Sequence, residues 1–318
     1  MTSQAGNADT VETPGPREYQ TGRGVLLAEV AVTVMALIWG VNYSVIKYGT
    51  GMVPALAYNS VRVLLGAIAL IIIALIWGGA APSRRDALTI LALGALGNGL
   101  YQIFFAEGIS RTRAGEAALV VGASPALMAL IGRMRGVERV SGRGIAGIAL
   151  SIFGVGLVVL GRAASGSAAQ GGSLTGDLLV LCGSVCWAVY TILLIPYTKR
   201  LNGWYILALS MAGGSLVLLV VGAPAILSVN WMTLAPRTWL AVLYSGFGAL
   251  VLAYVLWYRG VKVLGPTRTA LFANLQTLIA LLVAWATLNE QPTAWQVAGA
   301  VTILGGAFLT REPASEQA

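Results

Sequence analysis

The chain repeats itself. Gly94 to Leu157, moved along without a gap, falls on Gly246 to Leu309, 152 residues later. Gly94 meets Gly246, Gly108 meets Gly260, Ala118-Leu119 meets Ala270-Leu271, and Glu138 meets Glu290. Gly147 and Gly154 meet Gly299 and Gly306, and upstream a spacing of 148 sets Trp39 on Trp187 and Gly66 on Gly214. Self-similarity across several segments and their connections restricts the fold to two copies of one unit. The unit is almost wholly apolar, and a duplicated apolar chain is the pattern of membrane transporters built from two halves.

The surface such a chain must hide decides its solvent. Of 318 residues 57% are hydrophobic and 10% charged, against about 25% charged in a soluble domain. Lipid is the solvent for most of it, so the net charge of +8 reports membrane topology rather than a nucleic-acid footprint. Histidine is missing altogether, which removes His metal sites, general bases and proton relays. Cys182 and Cys186, at i and i+4, are too few for a disulfide framework or a zinc site.

A spanning helix needs about 20 apolar residues. The expected fold is an all-α membrane protein of about ten such helices, arranged as two inverted five-helix repeats. The first set is Leu26–Tyr48, Pro54–Trp77, Ala87–Phe105, Gly115–Ile131 and Arg143–Leu160. The second is Asp177–Tyr197, Trp204–Leu227, Arg237–Tyr258, Arg268–Leu288 and Ala294–Leu309. The expected domains are a disordered tail over 1–24, the first repeat over 25–161 and a Gly/Ser/Ala-rich linker over 162–176. The second repeat follows over 177–310, with a short tail over 311–318.

Lys and Arg gather on the cytoplasmic side of a membrane protein. With the amino terminus inside, fourteen of the 20 basic residues are cytoplasmic, five are outside, and Arg62 lies within a span. Both termini are therefore expected in the cytoplasm. Five spans is an odd number, so the second copy must enter the membrane upside down. The charges agree: Arg133, Arg135, Arg139 and Arg143 crowd the loop after the fourth span, while the equivalent loop around Glu290 has no Lys or Arg.

The chain resembles the drug/metabolite transporter superfamily, specifically the ten-helix EamA-type exporters. The resemblance runs from Leu26 to Thr310 and rests on Trp39-Gly40-Val41-Asn42-Tyr43 with Lys47, on Arg62 after Pro54, on Ala117-Ala118-Leu119 with Pro125, and on Gly147 with Gly154. Within that group it is similar to the aromatic amino-acid exporter branch (the YddG-like proteins). The resemblance implies a secondary transporter in the inner membrane that exports amino acids by alternating access, with no cofactor. Nucleosides, sugar phosphates and cationic drugs are the alternative cargoes, and homodimer contact in relatives implicates the fifth and tenth helices.

Polar or aromatic stripes inside apolar helices mark where a cavity can form, because such groups are costly against lipid. Trp39, Asn42, Tyr43 and Ile46 share a face of the first helix; Asn98, Tyr101, Gln102 and Phe105 share one of the third. The sixth adds Trp187, Tyr190 and Thr191, the repeat partners of Trp39, Asn42 and Tyr43. The eighth offers Tyr244, Phe247, Tyr254 and Tyr258 on one face, and the fourth and ninth offer Ser124, Asn274 and Gln276. Two roles are open to each: hydrogen bonding between helices, or lining a neutral cavity for zwitterions. Pro125 frees the carbonyl of Val121, either to receive an ammonium or merely to kink the helix.

Arg62 is the deepest charge; two roles are open to it, a structural ion pair with Glu107, Glu116 or Glu290, which is favoured, and substrate binding. Lys47 is expected to snorkel to the outer interface. No Asp or Glu lies mid-span, so facilitated exchange and proton antiport both remain open. An ATP-driven pump is excluded by the missing phosphate-binding loop. An intramembrane enzyme lacks an activated nucleophile with a base.

Overall fold

The computed structural model describes residues 22–136, 141–164, 172–264, 269, 272 and 274–310. Ten helices stand where ten were expected. They are α1 Gly22–Met52, α2 Ala55–Trp77, α3 Arg84–Arg111, α4 Ala114–Met134, α5 Gly142–Ala164, α6 Leu174–Thr198, α7 Gly203–Leu227, α8 Pro236–Leu264, α9 Leu275–Leu288 and α10 Ala294–Leu309. No strand occurs among the described residues. Eight helices, α1 to α8, are long and apolar enough to cross a membrane; α9 and α10 have 14 and 16 residues. The tenth helix has the bounds expected of it and the ninth ends where expected, with Thr269 and Phe272 also helical ahead of Leu275. A 16-residue helix is about 24 Å long, short of a hydrocarbon core of about 30 Å. The expected start of the ninth span, Arg268, lies outside the described residues.

Most of the expected tails and the middle of the linker also lie outside the described residues. Where their edges are described they are helical: α1 begins at Gly22, α5 runs to Ala164 and α6 begins at Leu174. Local chemistry sets several starts. Ser83 and Ser173 accept backbone N–H groups at the heads of α3 and α6, and Thr293 and Gln296 form a reciprocal capping box on α10.

The packing carries the duplication into three dimensions. Helix α2 packs on α7 and α5 on α10, each against its own repeat counterpart. The other main interfaces come in matched pairs: α1–α8 with α6–α3, α1–α9 with α6–α4, and α2–α8 with α7–α3. Gly94 lies on the backbone of Ser210 and Gly246 on that of Arg62; Gly108 lies on Val180 and Gly260 on Val32. Along α5 and α10, Gly147 approaches Gly306 while Gly154 approaches Gly299, so the two helices run antiparallel. A two-fold axis relating antiparallel helices is perpendicular to them. For helices that cross a bilayer it lies in the bilayer plane, the geometry of an inverted repeat. The small faces of α5 and α10 thus meet within one chain and serve as scaffold.

Three helices are irregular at repeat-equivalent depths. Helix α3 opens into a wide π-type turn over Ala95–Leu100, and α8 into another over Tyr244–Leu252, a span that includes the equivalents of the first. Helix α4 is interrupted at Ala123, whose repeat equivalent is Leu275, the first residue of α9. Pro125 is the second residue of the renewed helix, where its missing N–H costs nothing. The helix is therefore broken at this point, beyond the simple kink. Wide turns of this kind concentrate at functional sites. Large apolar side chains such as Leu75, Leu160, Val220 and Val301 face outward, as a lipid solvent requires.

Candidate functional site: an aromatic ladder beside a buried arginine

The stripes expected from sequence meet at the centre of the bundle. Tyr43 of α1 sets its edge on Phe105 of α3, ring centroids 5.8 Å apart. Phe105 stacks on Tyr101 at 5.6 Å, Tyr101 packs on Trp187 of α6 at 5.4 Å, and Trp187 on Tyr190 at 5.3 Å. Five rings from three helices form one continuous ladder. One turn earlier on α1, Trp39 meets Tyr254 at 5.5 Å and Trp257 at 5.9 Å, both from α8. Trp39 and Trp187 are repeat partners, so each half contributes one indole to an equivalent interface. The Trp39 indole N–H donates to the carbonyl of Ala249, 2.9 Å away, inside the wide turn of α8.

Polar groups interleave with the rings. Ser245 donates to Asn42 Oδ1 at 2.6 Å and exchanges a 2.9 Å hydrogen bond with Tyr58, whose hydroxyl also reaches the carbonyl of Ala241 at 2.9 Å. Tyr244 donates to the carbonyl of Ile38 at 3.0 Å. Asn98 is buried in the wide turn of α3, with the Tyr190 hydroxyl beside it. Gln102 turns the other way, toward α2. Its side-chain carbonyl accepts from Arg62 Nη2 at 2.8 Å, and its backbone carbonyl from Asn59 Nδ2 at 2.8 Å. Asn59 Oδ1 in turn accepts from Arg62 Nε at 2.7 Å.

The expected ion pair of Arg62 is not made. Glu107 pairs with Arg111, and Glu290 with Arg113 at 4.0 Å, while Glu116 accepts from Gln296 at 3.1 Å and from Thr112 at 2.9 Å. All three acids lie at the end of the bundle that holds the α3–α4 and α9–α10 connections, whereas Arg62 sits two turns inside α2. Lys47 does lie near that end, donating to the carbonyl of Ser110 at 3.1 Å. At the opposite end, Asp86 and Arg200 form an exposed bidentate pair at 2.6 and 3.1 Å. The carboxylate holds the Arg200 guanidinium above its usual range.

Not every expected residue joins the cluster. Phe247 is 43% exposed, because the wide turn of α8 adds backbone to each turn and rotates it off the face that holds Tyr254. Tyr258 packs on Trp204 near the Asp86 end, at 5.5 Å. Ser124, Asn274 and Gln276 stand at the interruption of α4 and the start of α9, away from the ladder, and the buried Ser124 hydroxyl makes no hydrogen bond among the described residues. Sequence reasoning passed over Tyr58, Asn59 and Ser245. The signal was present: Tyr58-Asn59-Ser60 beside Arg62 is the most polar run within the α2 span.

The pattern of the EamA-like transporter family matches the chain twice, over residues 26–160 and 174–311. The chain belongs to the EamA-like transporter family. It is a multi-pass membrane transporter and not an enzyme. An uncharacterized transporter of Bacillus subtilis, YyaM, is 28% identical over 70% of this chain and 72% of its own length. A probable amino-acid metabolite efflux pump of Salmonella typhimurium is 28% identical over 87% of this chain and 92% of its own. A solved crystal structure with 19% identity superposes with a TM-score of 0.61, covering 91% of this chain and 96% of that one, and confirms the fold.

Proposed function

We propose that this member of the family exports amino acids across the inner membrane, as a secondary transporter working by alternating access and without a cofactor. The observation that carries this reading is the five-ring ladder with interleaved amides at the junction of both halves. A cation held over an aromatic face gains about 0.5–2 kcal/mol, and Trp39, Tyr101 and Trp187 offer such faces to an ammonium group. Asn42, Asn98 and Gln102 offer amide groups at the same level. Tyr43, Tyr190, Tyr244 and Tyr254 complete the wall, and Ser124, Asn274 and Gln276 stand at helix interruptions that rocking can open. The Salmonella relative, a probable amino-acid metabolite efflux pump, agrees with this chemistry.

Inverted halves have nearly equal energies in mirrored arrangements, so the pair rocks about a fixed site. The bias of Lys and Arg supports cytoplasmic termini. One chain suffices for the cycle, and any second copy would dock on the outward faces of α5 and α10. The test is uptake into proteoliposomes of a panel of labelled amino acids, nucleosides and sugars, with and without an imposed pH gradient. Movement of amino acids alone is the expected result. A response to nucleosides or sugars with none to amino acids would refute it.

A further inference from the structure

Arg62 is 1% exposed and sits two turns inside α2. A guanidinium so deep in a span ordinarily faces a carboxylate, since the desolvation of an isolated charge is severe. Here both acceptors, Asn59 Oδ1 and Gln102 Oε1, are neutral amides, and no carboxylate among the described residues pairs with it. Neutral amides hold the group in place without cancelling its charge.

The duplication supplies an internal control for a purely architectural role. The repeat equivalent of Arg62 is Ser210. Gly246 packs on the backbone of Arg62 as Gly94 packs on that of Ser210, so the same helix crossing is made in the other half with a serine. The crossing does not need a guanidinium. Gln102, which holds Arg62, directly follows Tyr101 of the ring ladder, so one turn of α3 carries both the arginine's acceptor and a rung of the ladder.

We propose that Arg62 is the anchor for a carboxylate of the transported molecule, so that the site selects small carboxylate-bearing substrates and rejects their alcohol and amine counterparts. The inference rests on the reading of this cluster as the transport site. A carboxylate takes a guanidinium fork with two parallel charge-assisted hydrogen bonds, which Asn59 and Gln102 can yield to it as they turn aside. An amino acid bound this way lays its ammonium and side chain along the rings. The positive centre also favours an acid lacking the ammonium over an amine lacking the carboxylate.

The test uses purified full-length protein and four probes: L-phenylalanine, phenylpropionate, phenylalaninol and phenethylamine. Thermal stabilisation in detergent reads binding, and competition with labelled phenylalanine in proteoliposomes reads transport. The two carboxylates are expected to stabilise and compete, and the alcohol and amine to do neither at about tenfold higher concentration. Arg62→Gln should weaken the carboxylate response about tenfold or more, with Arg62→Lys keeping part of it. Should Arg62→Gln fail to fold, the wild-type panel and Arg62→Lys decide. Equal protection by phenylalaninol, no protection by either carboxylate, or unchanged affinity in Arg62→Lys overturns the anchor. Amino-acid transport with equal competition by the alcohol would sink the anchor and leave export standing. Arg62-dependent stabilisation without transport of any amino acid would do the reverse.

Discussion

Ser151 donates its hydroxyl to the backbone carbonyl of Ile303 at 3.2 Å, and Ile303 is the residue that occupies in the second half the place Ser151 occupies in the first. A residue that touches its own repeat equivalent lies on the axis relating the halves. Around that point α5 and α10 come together backbone to backbone: the Gly147 carbonyl lies 2.5 Å from where a Cβ on Gly306 would stand, and the Gly306 carbonyl 2.6 Å from one on Gly147. Such approach is open only to residues without side chains.

Gly306→Ala should therefore destabilise the protein by about 1–3 kcal/mol, the usual cost of overpacking. Its neighbour Gly305 is the control, because a Cβ there meets only Leu150 at 3.8 Å. Thermal unfolding of both variants in detergent checks this. Equal melting temperatures would mean that the axis is not tightly packed.

Glu290 ties the two halves at the end of the bundle that holds the α3–α4 connection. Its carboxylate accepts the backbone N–H groups of Ala114 and Gly115 at 3.0 and 3.1 Å, at the positive head of α4. It also faces the buried Arg113, whose Nη2 donates to the carbonyl of Gln291 at 2.7 Å. Glu290→Ala strands two amides and a guanidinium at once and should cost about 2–4 kcal/mol. Glu290→Gln retains one acceptor oxygen and should cost about half as much. Thermal unfolding measures both, and equal stability of Glu290→Ala and wild type would refute the clasp.

The ladder predicts a contrast between two sets of aromatic residues. Trp187→Ala removes the ring between Tyr101 and Tyr190 and should lower transport about tenfold. Trp77, 63% exposed and with its ring 6.4 Å from that of Trp204, should tolerate alanine with transport unchanged. Initial rates in proteoliposomes, normalised to protein inserted, separate the two. Equal losses would mean that Trp187 acts only through packing.

The helices were legible in the sequence because apolar length is a local property, and among the described residues each expected span holds a helix, the fourth interrupted at Ala123. Trp39, Asn42, Tyr43, Tyr101, Gln102, Trp187, Tyr190 and Tyr254 were legible as stripes because α-helical periodicity holds through α1 and α6 and through α3 beyond Leu100. Phe247 was misplaced because that periodicity fails inside the wide turn of α8. The partners of Arg62 were misjudged for a different reason. Matching charges points to glutamates, whereas one acceptor, Asn59, lies a turn back on α2 itself and the other, Gln102, is brought there by the packing of α3 on α2. Asn59 and Ser245 were missed on the same ground: each acquires its role from a helix that is distant in sequence.

The wide turn of α3 exists beside a specific ring. A Cβ on Gly97 would strike Cγ of Tyr190, and one on Gly99 would press on Val217 at 2.9 Å. Gly97 thus leaves the space into which the last rung of the ladder fits. Gly97→Ala must displace Tyr190, which loosens its contact with Trp187 and its approach to Asn98. Transport should fall about tenfold while the protein loses only about 1–3 kcal/mol of stability, since the helix itself accepts alanine readily. Gly51→Ala is the control, at a position where a Cβ meets nothing within 4 Å. Rates and melting temperatures of the two variants, measured together, distinguish a site effect from a folding effect: a Gly97→Ala protein that transports like Gly51→Ala would show that Tyr190 need not occupy its place for the substrate to pass.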